Sequence, residues 1–246
     1  MYTCIAEDER FLCVHKAPDV DCHTHQGQPG LIRSVQAQSR VRLFPLHRLD
    51  KVTSGLMLFA KDRETARRMG RMFAKGQVSK YYLALSAKRG QKKQGTVIGD
   101  MQRSRRGAWR LCRTRRRPAV TRFVSRAWAP GKRAFLLAPA TGKTHQLRVA
   151  LKSIGAPVLG DPLYAPAEQR TDRCYLHALA VFFVLDGERY GFWLPPRHGE
   201  YFLDPEAAEL LNAWRRPDLL NWPQLPSWAR PESSESTDQS LSLQSI

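Results

Sequence analysis

His47-Arg48-Leu49-Asp50-Lys51-Val52-Thr53-Ser54-Gly55 leads directly into the apolar run Leu56-Met57-Leu58-Phe59-Ala60. The apolar run predicts a buried strand, and the Thr-Ser-Gly triplet before it predicts a turn. A carboxylate at the mouth of a core strand costs free energy unless it is paired or functional. Asp50 is therefore a candidate functional acid, although a capped turn would explain the same residues structurally.

The segments on either side of this stretch predict an α+β protein. Asp62 is a typical N-cap residue, apolar residues follow it at helical spacing, and Gly76 ends that helix. A further helix is predicted over residues 145–154, and a short one starts at Asp204-Pro205-Glu206. Many strands with few helices indicate an α+β class rather than a regular βαβ alternation. Aromatic and β-branched residues predict these strands at 11–16, 56–60, 78–86, 119–127, 134–139, 175–185 and 189–194.

Positive charge dominates the chain and is concentrated in one stretch. The 246 residues include 40 Lys and Arg against 22 Asp and Glu, a net charge of +18. Residues 80–133 hold 17 of these bases and a single acid, Asp100, so they carry +16 of the total. Their densest part, residues 103–117, contains eight arginines with Trp109 among them. This pattern favours a nucleic-acid partner whose bases stack on Trp109; the alternative is a solvated, partly disordered loop.

The composition argues against a membrane protein and against an exported one. No window approaches the roughly 18 consecutive apolar residues of a spanning helix, and the acidic N-terminus lacks the apolar core of a signal peptide. Five scattered cysteines are typical of reduced thiols, so we expect a cytoplasmic protein. We expect one domain over residues 1–215 and an irregular tail over 216–246, which has no basic residue from Pro231 onward and is expected to be disordered.

Three other motifs resemble catalytic or metal sites only in part. Thr141-Gly142-Lys143-Thr144 ends like a Walker A loop, but Leu137 stands where the first glycine of that loop belongs. Cys22-His23-Thr24-His25 has no second ligand pair at zinc-like spacing, so a surface loop is expected there. Cys174 and His177 are explained more simply by strand packing than by thiol catalysis. We therefore expect neither a metal nor a cofactor.

Two more polar segments stand in apolar surroundings, Lys80-Tyr81-Tyr82-Leu83-Ala84 and Thr141-Gly142-Lys143-Thr144-His145-Gln146-Leu147-Arg148. Taken alone, the first is explained by a strand with aromatic pairs. The second is explained by a turn and a polar helix start. Neither segment alone indicates a function.

Together with residues 47–56, these two segments resemble, in order, the three motifs of the RluA-type RNA pseudouridine synthases. Leu159-Gly160-Asp161-Pro162-Leu163-Tyr164 and Leu176-His177-Ala178 resemble the two elements that follow in that family. The resemblance extends from about residue 11 to residue 196. One departure is Lys143, which stands where the third motif usually has an arginine and which cannot make the same planar, two-pronged contact.

The resemblance implies a fold and a reaction. The fold would be the α+β catalytic fold of the family, a mixed and largely antiparallel sheet with flanking helices and a central active-site cleft. The reaction would be the isomerisation of uridine to pseudouridine in ribosomal or transfer RNA, with no metal and no cofactor. The target base has to leave its stack before the enzyme can reach it.

The resemblance also implies roles for individual residues. Asp50 matches the essential aspartate, which attacks or deprotonates the ribose to release uracil. Arg148 matches the arginine whose salt bridge to that carboxylate keeps it ionised. Tyr82 matches the tyrosine that stacks on the uracil and is a candidate base for the C5 proton. The expected RNA contacts are His47, Arg48, Lys80, Lys143, His145 and Gln146, with Arg103, Arg105, Arg106, Trp109 and Arg110 from the basic stretch.

Two other classes of protein fit the charge of the chain. One is an RNA-binding protein or ribosomal RNA assembly factor that has this fold but has lost catalysis; the intact Asp50, Tyr82 and Arg148 argue against it. The other is a DNA-binding regulator, for which the sequence has no helix-turn-helix or zinc-finger signature. We expect the protein to be a monomer because a uniformly positive surface disfavours self-association.

Overall fold

The computed structural model describes residues 1–24, 27–169 and 171–230, which form eleven strands and four α-helices. In chain order the strands are β1 (Tyr2–Glu7), β2 (Phe11–Lys16), β3 (Phe44–Pro45), β4 (Ser54–Ala60), β5 (Ser79–Ser86), β6 (Gln94–Arg103), β7 (Trp109–Cys112), β8 (Ala119–Ala129), β9 (Lys132–Pro139), β10 (Leu176–Leu185) and β11 (Glu188–Trp193). The helices are α1 (Leu31–Gln38), α2 (Arg63–Ala74), α3 (Gln146–Ser153) and α4 (Glu206–Ala213). The α+β class expected from the sequence is confirmed.

The described chain divides into two compact units. The first unit contains Met1–Val78 and Ala178–Leu194, and the second contains Ser79–His177 and Pro195–Arg230. The single domain expected over residues 1–215 stays a prediction. The tail expected to be disordered, residues 231–246, lies outside the described residues.

The first unit is a sheet in the order β1, β2, β4, β10, β11, with the short β3 paired to β4. Every residue of β2 and β4 is buried, and the two strands run antiparallel. Phe11 of β2 and Leu58 of β4 pack in one core cluster with Met69 of α2 and Phe183 of β10. The alternation of long apolar side chains on these strands therefore builds the core that supports residues 47–55.

Helix α2 begins and ends where the sequence predicts. The side chain of its N-cap residue, Asp62, accepts hydrogen bonds from the backbone N–H of Thr65 at 2.8 Å and from the hydroxyl of Thr65 at 2.6 Å. Gly76 has the left-handed backbone conformation that follows a helix end, with φ at +73°. Met69 is fully buried and fixes the helix on the sheet.

The second unit is built on the antiparallel strand order β5, β9, β8, β6, β7. Its core side chains come from the centre of this order, including Leu83, Phe123 and Phe135, all of which are buried. Helix α3 has six consecutive buried residues, 146–151. A chain this closely packed positions the polar residues at the start of α3 firmly.

Three predicted details differ from the structure. The sequence did not predict helix α1 or strands β1, β3, β6 and β7, because each has at most two buried residues. The basic stretch at 103–112 is an ordered hairpin of β6 and β7 and not the irregular loop of the alternative interpretation. The cap residue of α4 is Pro205 rather than Asp204, and no side chain caps that helix start. Over the described ranges, none of the helices is both long and apolar enough to cross a bilayer.

Candidate active site

The segment that carries Asp50 in the first unit is held through its backbone and one ring. His47 Nε2 accepts a hydrogen bond from the backbone N–H of Leu58 at 3.1 Å, and its ring centroid lies 5.3 Å from that of Phe73. The carbonyl oxygen of Asp50 accepts from the backbone N–H of Thr53 at 3.0 Å. The Asp50 side chain is half-exposed at this fixed position.

The residues beside Asp50 alternate in exposure. Arg48 is exposed, whereas Leu49 is buried and its carbonyl oxygen accepts a hydrogen bond from Cys22 Sγ at 3.1 Å. Burial raises the pKa of the Cys22 thiol, so the sulfur keeps the proton that it donates. Cys22 therefore supports the Asp50 segment. Its neighbour in the possible metal motif, His25, lies outside the described residues.

A buried lysine anchors the other side of Asp50. The Lys16 side chain is fully buried, and Nζ donates to the carbonyl oxygen of Lys51 at 2.9 Å. It also donates to the carbonyl oxygens of Ala17 at 3.0 Å and Val20 at 2.8 Å. Sequence reasoning missed this residue, although a lysine at the end of the apolar strand β2 is an available signal. Lys16 fixes the carbonyl group of Lys51, the residue that directly follows Asp50.

Two glycines of the matching motifs are required by close backbone contacts. Gly55 has φ at +116°, and a Cβ atom there would lie 2.3 Å from the carbonyl oxygen of Ala178. Gly160 has φ at +70°, and a Cβ atom there would lie 2.1 Å from the carbonyl oxygen of Arg173. Any side chain at either position would push the strand or loop away, so the turn before β4 and the turn before Asp161 both need glycine.

Tyr82 lies in the second unit, on the buried strand β5 opposite Leu137 of β9. Its neighbour Tyr81 points to the other face of the strand, where burial raises its pKa to about 12. Lys80 is half-buried, and desolvation lowers the pKa of its ammonium group below the usual value. Lys80, Tyr81 and Tyr82 of the second motif therefore have three different environments. Tyr82 lies on the strand face opposite to that of Tyr81.

Arg148 on α3 is paired with Asp161. Its Nε and Nη2 atoms each donate to a carboxylate oxygen of Asp161 at 2.7 Å, and both side chains are almost completely buried. Asp161 Oδ1 also accepts from the backbone N–H groups of Leu163 at 2.9 Å and Tyr164 at 3.2 Å. The guanidinium is thus oriented within the second unit. The salt bridge of Arg148 to Asp50 that the resemblance implies stays a prediction.

The start of α3 is held by the amide of Gln146, which is buried. Its Oε1 accepts from the hydroxyl of Thr141 at 2.8 Å and from the backbone N–H of Lys143 at 2.9 Å. Its Nε2 donates to the carbonyl oxygen of Val120 at 3.0 Å and to Thr121 Oγ1 at 2.9 Å. These bonds give Gln146 a structural role, because they tie the loop before α3 to strand β8. Contact of Gln146 with RNA stays a prediction.

His145 and Lys143 lie in that same loop, which we call the α3 loop (residues 140–145). His145 has a left-handed backbone conformation with φ at +55°, and its Nδ1 lies 2.9 Å from the hydroxyl oxygen of Tyr164. Lys143 is exposed. A non-glycine residue held at positive φ is uncommon and marks a loop whose shape is enforced by its surroundings.

The basic residues 103–110 lie on a hairpin, here called the basic hairpin (β6, β7 and the turn between them). Arg103 pairs with Trp109 across the two strands, and its Cζ lies 5.7 Å from the centroid of the indole ring. Arg105 and Arg106 form the exposed turn, and Arg110 Nη2 donates to the side chain of Gln102 at 3.2 Å. The hairpin therefore presents four arginines, of which Arg103 packs over the ring of Trp109.

The single acid of the basic stretch, Asp100, shapes the segment that follows the hairpin. Its Oδ2 accepts from the backbone N–H of Arg116 at 3.0 Å and its Oδ1 from that of Arg117 at 2.8 Å. A hydrogen bond from the Thr114 side chain is the main cause of the lowered pKa of Asp100, so the carboxylate stays ionised near neutral pH. We call residues 113–117 the arginine loop; Asp100 fixes its end.

The described residues contain no group of three or more His, Cys, Asp or Glu side chains arranged to hold a metal ion. All five cysteines are free thiols. The polar residues of the two units are thus organised by hydrogen bonds and ion pairs between protein groups. They offer carboxylate, phenol, guanidinium and ammonium chemistry.

Comparison with known proteins identifies relatives of this chain. A family model described as RNA pseudouridylate synthase matches residues 10–153, a range that includes Asp50, Tyr82 and Arg148. A Haemophilus influenzae protein named "Uncharacterized RNA pseudouridine synthase" is 42% identical over 212 residues, which are 86% of this chain and 95% of that protein. A Pasteurella multocida protein named "Dual-specificity RNA pseudouridine synthase RluA" is 34% identical over 203 residues, 77% of this chain and 90% of that protein.

A solved structure is similar as well. The protein titled "Human RNA Pseudouridylate Synthase Domain Containing 1" aligns with a TM-score of 0.67 at 26% sequence identity. The alignment covers 80% of this chain and 84% of the human chain. Sequence and fold therefore both lead to proteins described as RNA pseudouridine or pseudouridylate synthases.

Proposed function

The chain belongs to the RNA pseudouridine synthase family, in its RluA-type branch, and we propose that it isomerises uridines of structured ribosomal or transfer RNA with Asp50, Tyr82 and Arg148. The enzyme class is that of an RNA-modifying isomerase. The observation that carries the assignment of Asp50 is its fixed segment, in which the carbonyls of residues 49, 50 and 51 are all hydrogen-bonded.

The isomerisation moves one bond and leaves the composition of the nucleotide unchanged. The C1′–N1 bond breaks and its electron pair leaves with uracil; the uracil then turns, and C5 bonds to C1′. N1 gains a proton and C5 loses one. A carboxylate at Asp50 starts the reaction either by attack on the ribose or by removal of a ribose proton. A half-exposed carboxylate on a rigid segment suits both, because its position is set before RNA arrives.

Tyr82 and Arg148 would act at the base and at the carboxylate. The phenol of Tyr82, on a buried strand, offers a flat surface for the uracil and an oxygen for the C5 proton. Arg148 is a strong and permanently charged donor, and its bidentate bond to Asp161 leaves it oriented before substrate binds. We propose that this cation keeps the Asp50 carboxylate ionised.

We propose that RNA affinity comes from the basic stretch together with Arg48, His145 and Lys143. The net charge of +18 and the exposed arginines of the basic hairpin support this, since each cation that contacts a phosphate releases a counterion. The protein would be cytoplasmic, in keeping with its free thiols, and monomeric, in keeping with its positive surface. Light scattering of the purified protein tests the monomer.

Release of tritium from C5-labelled RNA tests the proposed reaction. Bulk RNA from a strain that lacks this gene is separated into ribosomal and transfer RNA and incubated with wild type, Asp50→Asn or Asp19→Asn. Asp19 is a suitable control because it is exposed and left-handed, a conformation that Asn also adopts. We expect release by wild type and Asp19→Asn from ribosomal RNA, from transfer RNA or from both, and no release by Asp50→Asn. Tight RNA binding without release by wild type would favour the inactive RNA-binding alternative.

A further inference from the structure

A groove of about 500 Å³ lies in the second unit between the basic hairpin and the α3 loop. The hairpin contributes Trp109 and the α3 loop contributes Lys143. The volume falls in the range of about 300–1,000 Å³ that small-ligand sites occupy. The remaining lining residues are Asp100, Met101, Gln102, Arg116, Arg117, Gly142 and Thr144.

The walls of this groove combine one aromatic ring with three exposed cations. Trp109 is half-buried, and the guanidinium of Arg103 packs over its ring, which fixes the orientation of the indole. Arg116, Arg117 and Lys143 are exposed at the groove. A flat aromatic surface beside several cations suits a base with its phosphate, because the base stacks and the phosphate pairs.

Hydrogen bonds to the backbone of its walls set the shape of the groove, so this shape does not depend on flexible side chains alone. Asp100 binds the backbone of Arg116 and Arg117, so the end of the arginine loop is tied to strand β6. On the opposite wall, Gln146 holds the backbone N–H of Lys143. Both walls are thus preorganised, which reduces the entropy lost when a ligand binds.

We propose that this groove binds one unpaired nucleotide of the substrate RNA, at a position other than the uridine that is isomerised. The base would pack on Trp109, and the phosphates would contact Arg116, Arg117 and Lys143. Sequence-specific RNA recognition uses unstacked nucleotides of this kind, whereas paired bases hide their faces in the duplex. This proposal rests on the proposed function, because it assumes that the substrate of the protein is RNA.

Matched pairs of arginine substitutions test the groove against a diffuse positive surface. Arg116→Ser with Arg117→Ser removes two groove arginines, and Arg113→Ser with Arg115→Ser removes two exposed arginines of the same loop that do not line the groove. We expect the groove pair to weaken RNA binding about tenfold more than the control pair and to flatten the slope of log K against log salt by about 1.4, at roughly 0.7 for each single-strand phosphate contact. Equal effects of the two pairs would overturn the proposal.

Substitution of the aromatic ring tests stacking. Trp109→Ala should weaken RNA binding about tenfold, within the range that base stacking on an aromatic side chain contributes. Trp109→Phe keeps an aromatic face and should stay within about threefold of wild type. Thermal melting of each variant shows whether it is folded. An Ala variant that is folded and binds like wild type would contradict the proposal.

Cross-linking gives a direct readout that does not depend on substitutions in the groove. RNA with 4-thiouridine at one position at a time is irradiated with the Asp50→Asn protein, and the adducts are mapped by mass spectrometry. We expect an adduct on Trp109 or Met101 from a position that is not the target uridine. Adducts from the target position alone, or none on the groove, would overturn the proposal.

Tritium release by wild type separates the two proposals. Absence of release, with the cross-link and the arginine effect present, would contradict the proposed reaction and leave the groove supported. Release without a groove cross-link would support the proposed reaction and contradict nucleotide binding in the groove.

Discussion

The hydroxyl oxygen of Tyr164 accepts a hydrogen bond from the backbone N–H of Trp109 at 2.8 Å, which joins the basic hairpin to the surroundings of α3. The same hydroxyl lies 2.9 Å from His145 Nδ1. The guanidinium carbon of Arg148 lies 5.0 Å from the centre of the Tyr164 ring, and the backbone of Tyr164 is bound to Asp161. One side chain therefore contacts the hairpin, the α3 loop and the buried arginine.

Removal of this hydroxyl should loosen the hairpin without removing any charge. Tyr164→Phe keeps the ring under Arg148 but leaves the N–H of Trp109 and Nδ1 of His145 without this partner. We expect a loss of about 1–2 kcal/mol in the free energy of unfolding, measured in urea, and weaker RNA binding.

Tyr201→Phe is the matched control for that substitution. Among the residues that the structure describes, the hydroxyl of Tyr201 makes no hydrogen bond, while its ring contacts Lys132 much as the ring of Tyr164 contacts Arg148. The control should change the free energy of unfolding by less than about 0.5 kcal/mol. Equal losses in the two variants would show that the Trp109 contact is not what stabilises the hairpin.

The Arg148–Asp161 ion pair should be more important for stability than a similar pair that is less buried. Asp161→Asn leaves a buried guanidinium with a neutral partner, and breaking a buried pair in this way costs about 3–5 kcal/mol. Arg216 and Asp218 form the same two-pronged contact, at 3.1 and 2.8 Å, with more exposed side chains. Asp218→Asn should therefore cost less than Asp161→Asn, because water still reaches both side chains of this pair. The free energies of unfolding of both variants, measured in urea, test this prediction. Similar losses in the two variants would contradict this account of Arg148.

The role of Lys16 can be tested because its ammonium group donates to three backbone carbonyls. Lys16→Met keeps the length and the apolar stem but leaves the carbonyls of residues 17, 20 and 51 without the ammonium. We expect the free energy of unfolding to fall by about 1–3 kcal/mol. Turnover at saturating RNA should fall with RNA affinity little changed, because the carbonyl of Lys51, next to Asp50, is released.

Lys61→Met provides the comparison for Lys16. Lys61 lies in the same unit and its ammonium pairs with the exposed side chain of Glu7 at 2.6 Å. Because that pair is at the surface, the substitution should leave turnover close to that of wild type. Turnover of Lys16→Met at the wild-type level would exclude a positioning role for Lys16.

The parts of the fold that could be predicted are those whose sequence pattern reflects burial. Strands β2 and β4 are buried throughout and mainly apolar, and α2 has both a capping acid and a terminal glycine, so local physics and tertiary structure agree there. The basic hairpin has no such pattern: its strand β7 has no fully buried residue and is formed by pairing with β6. Hydrogen bonds between distant segments stabilise it, and a single sequence does not show them.

The candidate site likewise divides into residues that the sequence indicates and contacts that only the structure shows. Asp50, Tyr82 and Arg148 were predicted from the resemblance of their motifs to those of the RluA-type enzymes, and their roles stay predictions. Asp161 was seen only as part of a motif, and its bond to Arg148 depends on the turn at Gly160, where the backbone of Arg173 comes close. Roles that are created by a contact between separate segments need the structure.

A cluster at the edge of the first unit predicts the acid dependence of stability. A hydrogen bond from Arg10 is the main cause of the lowered pKa of Asp8, and a bond from Tyr190, followed by Arg10, lowers the pKa of Glu188. A carboxylate whose pKa is lower in the folded state binds fewer protons when folded, so stability rises with pH through that region. The contribution of each carboxylate to stability is complete above the unfolded pKa values of about 3.9–4.3 and is lost as pH falls below them.

Arg10→Met should therefore reduce the fall in melting temperature between pH 6 and pH 3, whereas Arg63→Met, exposed on α2, should not. An acid-induced fall as large in Arg10→Met as in wild type would mean that these two carboxylates do not depend on Arg10.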